Sequence, residues 1–132
     1  MESGNYNKKG ITLKCRNKKI FVYNLHKLGF IGRFTGLMLR SRKTRNLLFD
    51  FGSDVSIPIH SLFVFFPFLA IWIDSDNNVL EWQIIRPFRL SALPKKKFRK
   101  LVEVPLNSSN MKITEFFVGK ERFKYKRRQL YL

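Results

Sequence analysis

The stretch that decides the fold is LFVFFPFLAIWIDSDNNVLEWQII, Leu62 to Ile85. It begins with twelve apolar residues, 62–73, fewer than the roughly twenty that a membrane-spanning helix needs. Pro67 would break a helix near the middle of that run, whereas a proline is tolerated at the start of a strand. The residues at 74–78, DSDNN, are types that favour turns. The stretch therefore predicts a buried strand, a hairpin turn and a partner strand at 79–85.

Further strands are predicted on both sides of this hairpin. Alternation in ITLKCR places Ile11, Leu13 and Cys15 toward a core and the residues between them toward water. A polar break at Asn17-Lys18 is suited to a turn before the next strand. The remaining strand-like runs are 19–26, 46–51, 57–66, 101–105 and 117–128. Because many short strands alternate with turn signals, we predict a mainly β fold: a single-domain antiparallel β-sandwich or distorted barrel with one or two short helices.

Two short helical segments and one more turn are also predicted. Apolar residues recur at three- and four-residue steps from Leu28 to Leu39, which favours a short helix. Ser109 is a suitable cap for a single helical turn within 108–117. GSD at 52–54 is typical of a turn. The expected organisation is a disordered tail at 1–10, one β domain at 11–126 and a basic tail at 127–132.

The charge balance is strongly basic. The chain has 26 Lys and Arg against 9 Asp and Glu, a formal net charge of +17. Such a charge raises the local concentration of polyanions and speeds encounters with RNA, DNA or an anionic membrane surface. The plain alternative is a proteome that uses lysine heavily, in which case the charge is a solvated coat.

The basic residues fall into three clusters, Arg40–Arg45, Lys95–Lys100 and Lys120–Arg128. Two of them interleave aromatic residues with the charges, as surfaces that track phosphates and stack bases do. If folding places the clusters on one face, we expect the chain to engage RNA or a ribonucleoprotein; if they are dispersed, they are a solvated coat. The residues predicted to bind nucleic acid are Arg42, Lys43, Arg45, Lys95, Lys96, Lys97, Arg99, Lys100, Lys124, Lys126, Arg127 and Arg128.

Few residues are suited to catalysis or to metal binding. Cys15 is the single cysteine, so no intrachain disulfide is possible, and the polar N-terminus lacks the apolar region of a signal peptide. We therefore expect a cytoplasmic protein. The histidines, His26 and His60, lack the short spacing of a zinc site. No nucleophile elbow and no glycine-rich phosphate loop occurs, so we expect no enzyme activity, no cofactor and no metal.

One segment carries a family resemblance. RFTGLMLR, Arg33 to Arg40, resembles the R-x-x-G-L-M-x-R hallmark of the bacterial and archaeal family called domain of unknown function 192, and the chain is similar to its archaeal members. Four later pieces resemble family segments in the same order: NLLFDF, the central hairpin with its preceding IPIHS, LVEVP and FVGKERFKY. The resemblance spans about residues 11–126 and implies a small β-sandwich or distorted barrel with a helix at the motif. It implies no substrate, since the family has no agreed activity.

The arginines of this motif allow two readings. Arg33 and Arg40 have the forked donors that bind anions, and with His60 they are suited to hold a small anionic ligand in a cleft beside the central hairpin. Alternatively, both arginines pair internally with Asp50, Asp74 or Glu81 and join the helix to the sheet. For His60 by itself, a neutral imidazole bonded to backbone is the commoner situation.

Overall fold

The structure is a computed structural model that describes residues 10–28, 40–41, 43–61 and 64–119. Two sheets account for the strands of these residues. The smaller sheet is the hairpin of β1 (Gly10–Cys15) and β2 (Lys18–Tyr23). The larger sheet has the order β3-β4-β7-β5-β6 and contains β3 (Leu25–Lys27), β4 (Asn46–Val55), β5 (Phe68–Ile73), β6 (Val79–Ile85) and β7 (Phe98–Pro105). The mainly β prediction is confirmed. The two sheets are not closed into a barrel, and β3 runs parallel to β4, so the larger sheet is mixed.

The predicted central hairpin is confirmed. β5 and β6 pair in antiparallel fashion, and β5 is buried throughout. In the turn, Asp74 Oδ1 accepts hydrogen bonds from the backbone N–H groups of Asp76 and Asn78, each at 2.9 Å. Asn77 has a φ of 67°, a left-handed conformation that asparagine tolerates. Although partial burial acts to raise it, hydrogen bonds from Asn78 and Asp76 and the nearby Lys14 charge hold the pKa of Asp74 below its usual value.

The larger sheet has an apolar cluster on each face. The β1–β2 hairpin and a C-terminal helix pack on the first face, where the cluster includes Leu13, Val22, Leu48, Ile71, Val102, Ile113 and Phe117. Loop residues cover the second face, where the cluster includes Leu47, Val64, Phe66, Ala70, Trp72, Ala92 and Leu101. The inward alternation predicted for β1 is confirmed, since Leu13 is fully buried while Ile11 and Cys15 pack against the first cluster.

Two predicted elements between β3 and β5 are corrected. The GSD segment is no turn, because β4 continues through it with an irregular register between Asp50 and Val55. Gly52 supplies the kink with a φ of 75°, and its N–H donates to Asp50 Oδ1 at 2.9 Å. The strand predicted at 57–66 is wrong for the described residues there, which form a loop with an isolated β-bridge between Ile59 and Ala92.

The predicted helical turn near the C-terminus is longer than expected. A 3₁₀ turn at Ser108–Asn110 leads into α1 (Met111–Val118). Asn107, not Ser109, is the cap, because its side-chain oxygen accepts the Asn110 N–H at 3.0 Å. The first two residues of the predicted strand 117–128 belong to α1 instead. Gly10, placed in the N-terminal tail by the prediction, instead begins β1, and Gly119 follows α1 without being in a strand. The rest of the predicted strand and tails and, apart from Leu28, the predicted helix at 28–39 lie outside the described residues.

Candidate functional site

Ser61 joins two loops on the second face of the sheet. We call the loop segments 57–66 and 86–97 together the loop layer; residues 62–63 are outside the described part. The fully buried Ser61 donates its hydroxyl to Arg86 O at 2.6 Å and accepts the Arg89 N–H at 2.5 Å. Its backbone N–H donates to Arg89 O at 2.8 Å, and its carbonyl accepts the Phe88 N–H at 2.9 Å. These bonds fix the backbone of the second loop against the first.

Phe88 is held at the outside of the loop layer in an unfavourable backbone conformation. Its φ is 62°, which is rare for a bulky residue. The Phe88 side chain is 54% exposed and that of Phe65 is 58% exposed. Their ring centroids lie 5.3 Å apart, and the ring planes meet edge to face at 77°. We call Phe65 and Phe88 the aromatic platform. Strain of this kind persists where the surrounding contacts impose it, and it concentrates at functional sites.

A chain of hydrogen bonds holds Arg89 and Lys95 at the edge of the larger sheet that is formed by β6. Arg89 donates from Nε to Ser91 O at 3.0 Å and from a guanidinium nitrogen to Gln83 Oε1 at 3.3 Å. Gln83 in turn donates to Glu81 Oε2 at 2.8 Å, and Glu81 Oε1 accepts the Lys95 backbone N–H at 3.0 Å. Both oxygens of Glu81 are thus engaged. Arg89 and Lys95 are positioned beside β6 through its polar side chains.

The chain around this edge is free of acids over a long interval. Residues 82–102 contain seven Lys and Arg and no Asp or Glu. The five exposed members define what we call the basic rim: Arg86, Arg89, Lys95, Lys96 and Lys97. Repulsion among these charges makes the rim favourable for an anionic partner.

Three of the predicted nucleic-acid-binding residues are engaged in contacts within the fold. Arg99 Nε lies 3.8 Å from Asp50 Oδ1, and Lys100 donates to Asn77 Oδ1 at 3.0 Å. Arg45 donates to the side chain of Asn24 at 3.2 Å and to the carbonyl of Leu25 at 3.3 Å. These contacts join loops and strands, and nucleic-acid binding by the three residues stays a prediction.

The first two basic clusters are not brought together. β4 and β7 are antiparallel, with Leu47 opposite Glu103 and Val55 opposite Phe98. Arg45 precedes the start of β4, whereas Lys97 precedes the start of β7, so the clusters lie at opposite ends of the strand pair, roughly 25 Å apart at about 3.3 Å per residue. Lys43 is exposed at the Arg45 end. The predicted residues outside the described part are Arg42, Lys124, Lys126, Arg127 and Arg128.

The predicted anion-binding set is described only in part. Arg33 lies outside the described residues, while Arg40 and His60 are exposed. The carboxylates suggested as internal partners bond elsewhere within the described part. Asp50 lies next to Arg99. Asp74 accepts hydrogen bonds from backbone N–H groups of its own turn. Glu81 accepts hydrogen bonds from the Gln83 side chain and the Lys95 backbone.

Glu103 is a buried acid that the sequence patterns did not predict. It lies on β7 with 5% of its surface exposed, two residues from Leu101 and therefore on the second face of the sheet. Its carboxyl makes no hydrogen bond or ion pair with the described residues, and burial raises its pKa to about 8. On the adjacent strand β5, the indole N–H of Trp72 is buried and also lacks a partner among the described residues. An acid between apolar neighbours in LVEVP was the available signal.

The other missed residues are the aromatic platform, Ser61, Arg86 and Arg89. The two arginines were accessible to sequence reasoning through the absence of acids from 82 to 102. The exposure of Phe65 could not be predicted, because this residue lies in an apolar run typical of a core, whereas Phe88 stands between Arg86-Pro87 and Arg89.

The described residues contain neither a metal-ligand cluster nor a membrane-spanning helix. No group of three or more His, Cys, Asp and Glu side chains in that part is arranged to hold a metal ion. None of its helices is long and apolar enough to cross a membrane.

Comparisons with known proteins identify relatives of unknown function. No protein-family model matches the sequence. A UPF0127 protein of Thermococcus gammatolerans is 33% identical over 79 residues, 58% of this chain and 51% of that protein. The match thus spans about half the length of that curated relative. The chain is similar to a protein of an uncharacterised family, whereas the hallmark R-x-x-G-L-M-x-R and its family stay a prediction.

Two solved structures share the fold. A protein of unknown function from Novosphingobium aromaticivorans superposes with a TM-score of 0.61 at 12% identity, covering 80% of this chain and 77% of that one. A protein of Sinorhizobium meliloti described as a candidate transcription regulator gives 0.62 at 15% identity, covering 78% and 82%. At these identities the likeness concerns the fold alone.

Proposed function

We propose that this chain is a small cytoplasmic binding domain that engages RNA, free or within a ribonucleoprotein, through the basic rim. The observation that carries the proposal is the convergence of Arg89 and Lys95 at the β6 edge within an acid-free interval of the chain. Counterion release from phosphates is the main source of affinity for surfaces of this kind.

The rim is suited to a polyanion for two structural reasons. Lys95, Lys96 and Lys97 are successive exposed residues, so their ammonium groups are available to several phosphates at once. Glu81, the acid bonded to this segment, has both oxygens occupied by the Gln83 side chain and the Lys95 backbone. It does not draw a lysine side chain of the rim into a salt bridge.

The similar proteins give no evidence for or against RNA binding, because they are of unknown function or are similar to this chain in fold alone. The alternative of a small anionic ligand held by Arg33, Arg40 and His60 stays a prediction.

Binding of single-stranded RNA over a salt series tests the proposal. We expect the logarithm of the affinity to fall linearly with the logarithm of the salt concentration, at about 0.7 per phosphate contacted. A triple variant Lys95→Gln, Lys96→Gln, Lys97→Gln should bind more weakly and lower the slope by about 0.7 per lost contact.

A matched control removes the same charge elsewhere. Lys27 on β3, Lys43 before β4 and Lys112 on α1 are exposed, and their change to Gln lowers the net charge equally. β3 is the edge strand opposite β6, Lys43 lies at the Arg45 end of β4, and α1 packs on the first face of the sheet. The proposal requires the rim variant to lose clearly more affinity than this control. Equal losses of affinity in the two variants would show that net charge alone is responsible for binding. Absence of RNA binding by the unmodified chain at low salt would contradict the proposal.

A further inference from the structure

We infer that the aromatic platform stacks unpaired bases, so that the substrate class is single-stranded rather than duplex RNA. This inference rests on the proposed function and adds to it a second kind of contact. Two features carry it: a pair of oriented, exposed rings and the position of the rim next to them.

The rings are presented for contact rather than for packing. Phe65 and Phe88 are each more than half exposed, and they meet edge to face. In that geometry the ring that offers its edge keeps both of its faces free of the other ring, which leaves a π surface for a base. Stacking on aromatic side chains is the common mode by which proteins hold unpaired bases.

The backbone fixes the orientation of one ring. Phe88 keeps a φ of 62° while its N–H bonds to Ser61 O and the next residue bonds to the Ser61 hydroxyl. Ser61 is fully buried, so the serine side of these part-buried hydrogen bonds is shielded from water. A ring held in this way is organised before the ligand arrives, which lowers the entropic cost of binding.

Charge lies directly beside the platform. Arg89 follows Phe88 in the chain, and its guanidinium is held by Ser91 and Gln83 on the rim side. A single strand can lay its phosphates along the rim while its bases reach the rings. A duplex keeps its bases stacked on one another, so it offers this site phosphates and sugars alone.

Exposed aliphatic residues near the aromatic platform make a lipid surface the competing ligand. Leu90 is 77% exposed and Leu93 is 45% exposed, so the loop layer also offers apolar area. Insertion into a bilayer depends on that area and on charge, and not on the direction of a ring face. The strained Phe88 and the edge-to-face pair favour a base as the partner, and vesicles enter the test as the competing outcome.

The experiment compares ring chemistry with apolar area. Phe88→Leu and, separately, Phe65→Leu keep an apolar side chain and remove the π face, whereas Leu90→Ala is the control that removes apolar area and keeps both rings. Affinities are measured for a single-stranded RNA, for the same RNA as a duplex, and for vesicles of phosphatidylserine and phosphatidylcholine. Circular dichroism checks that each variant is folded.

We expect the unmodified chain to prefer single-stranded RNA over the duplex. The Phe→Leu variants should lose about fivefold or more of their affinity for the single strand, with the duplex little affected. Leu90→Ala should bind both RNAs as the unmodified chain does.

The contrary results separate the two proposals. Equal affinity for both RNAs, or unchanged single-strand binding by both Phe→Leu variants, overturns base stacking and leaves the proposed function standing. Loss of vesicle binding in Leu90→Ala with unchanged RNA binding in the Phe→Leu variants makes the loop layer a lipid contact, which also overturns it. Failure of the unmodified chain to bind any RNA overturns both.

Discussion

Glu103 lies directly opposite Ala70 in the β5–β7 ladder, with Leu47 opposite it on the other side in β4. Both neighbours are apolar and fully buried, so the carboxyl has no charged partner across either strand. The small side chain of Ala70 leaves space for the longer one of Glu103 on the same face of the sheet. Burial of this carboxyl raises its pKa from 4.5 to about 8.

Stability is therefore expected to fall as pH rises. Between about pH 4.5 and pH 8 the unfolded chain releases the Glu103 proton while the folded chain retains it, so ionisation favours unfolding throughout that window. The total loss is on the order of 3–5 kcal/mol in the free energy of unfolding and is complete above pH 8. Urea denaturation at several pH values measures it.

Glu103→Gln tests the origin of that pH dependence. The amide keeps the shape of the side chain and does not ionise, so the variant should be nearly insensitive over this pH window and more stable than the unmodified chain at pH 8. Glu115→Gln, on the half-buried side of α1, serves as the control and should keep the slope. A Glu103→Gln protein with the original slope would assign the pH dependence to another group.

Ser61→Ala should destabilise the loop layer by about 1–3 kcal/mol, because the part-buried backbone groups Arg86 O and Arg89 N–H lose the buried hydroxyl as their partner. Thermal unfolding measures the change. Ser91→Ala, at an exposed position of the same loop, should change stability little. Equal effects of the two substitutions would contradict the role of Ser61.

Asn46 and Asn110 should be energetically coupled. Their buried side-chain amides exchange two hydrogen bonds, at 2.9 and 3.2 Å, and join the start of β4 to the residue before α1. Asn46→Ala and Asn110→Ala should each cost about 1–3 kcal/mol, and the double variant should cost clearly less than the sum of the two. A double-mutant cycle by urea denaturation measures the coupling, and additive losses would contradict it.

Gly52→Ala should cost about 1–2 kcal/mol although the position has free space. Its φ is 75°, and a methyl group placed there would meet no atom of the described residues within 4 Å, so the expected penalty comes from backbone conformation. Ser53→Ala, the next residue of β4 and exposed, is the control for which we expect little change. Circular dichroism during heating compares the two, and an unchanged melting temperature for Gly52→Ala would show that β4 relaxes at its kink.

Local patterns predicted the parts of the fold that depend on neighbours in the chain. The β5–β6 hairpin followed from an apolar run, a run of turn residues and an apolar return, because its ladder joins adjacent segments. The loop at 57–61 was mistaken for a strand because apolar residues occur both in ladders and in loops that cover a core. The signal that distinguishes them is pairing with 86–92, which is distant in the sequence.

The site was accessible to sequence reasoning in one respect. The Lys95–Lys97 cluster was identified from its charge alone, since successive lysines are almost never buried. Arg99 and Lys100 in the same run proved to be engaged by Asp50 and Asn77, because β7 places them beside residues of other strands.

The sequence by itself determined the mainly β class, the central hairpin and the basic character of this protein, since alternation, turn residues and charge are properties of the chain. The tertiary structure alone decided which charges lie together, which phenylalanines remain outside and which acid is buried. The physical reason is that each of these depends on strand register and loop pairing. The antiparallel β4–β7 pair separates the clusters at Arg45 and Lys97, and bonds to Ser61 from residues about 25 positions away orient Phe88.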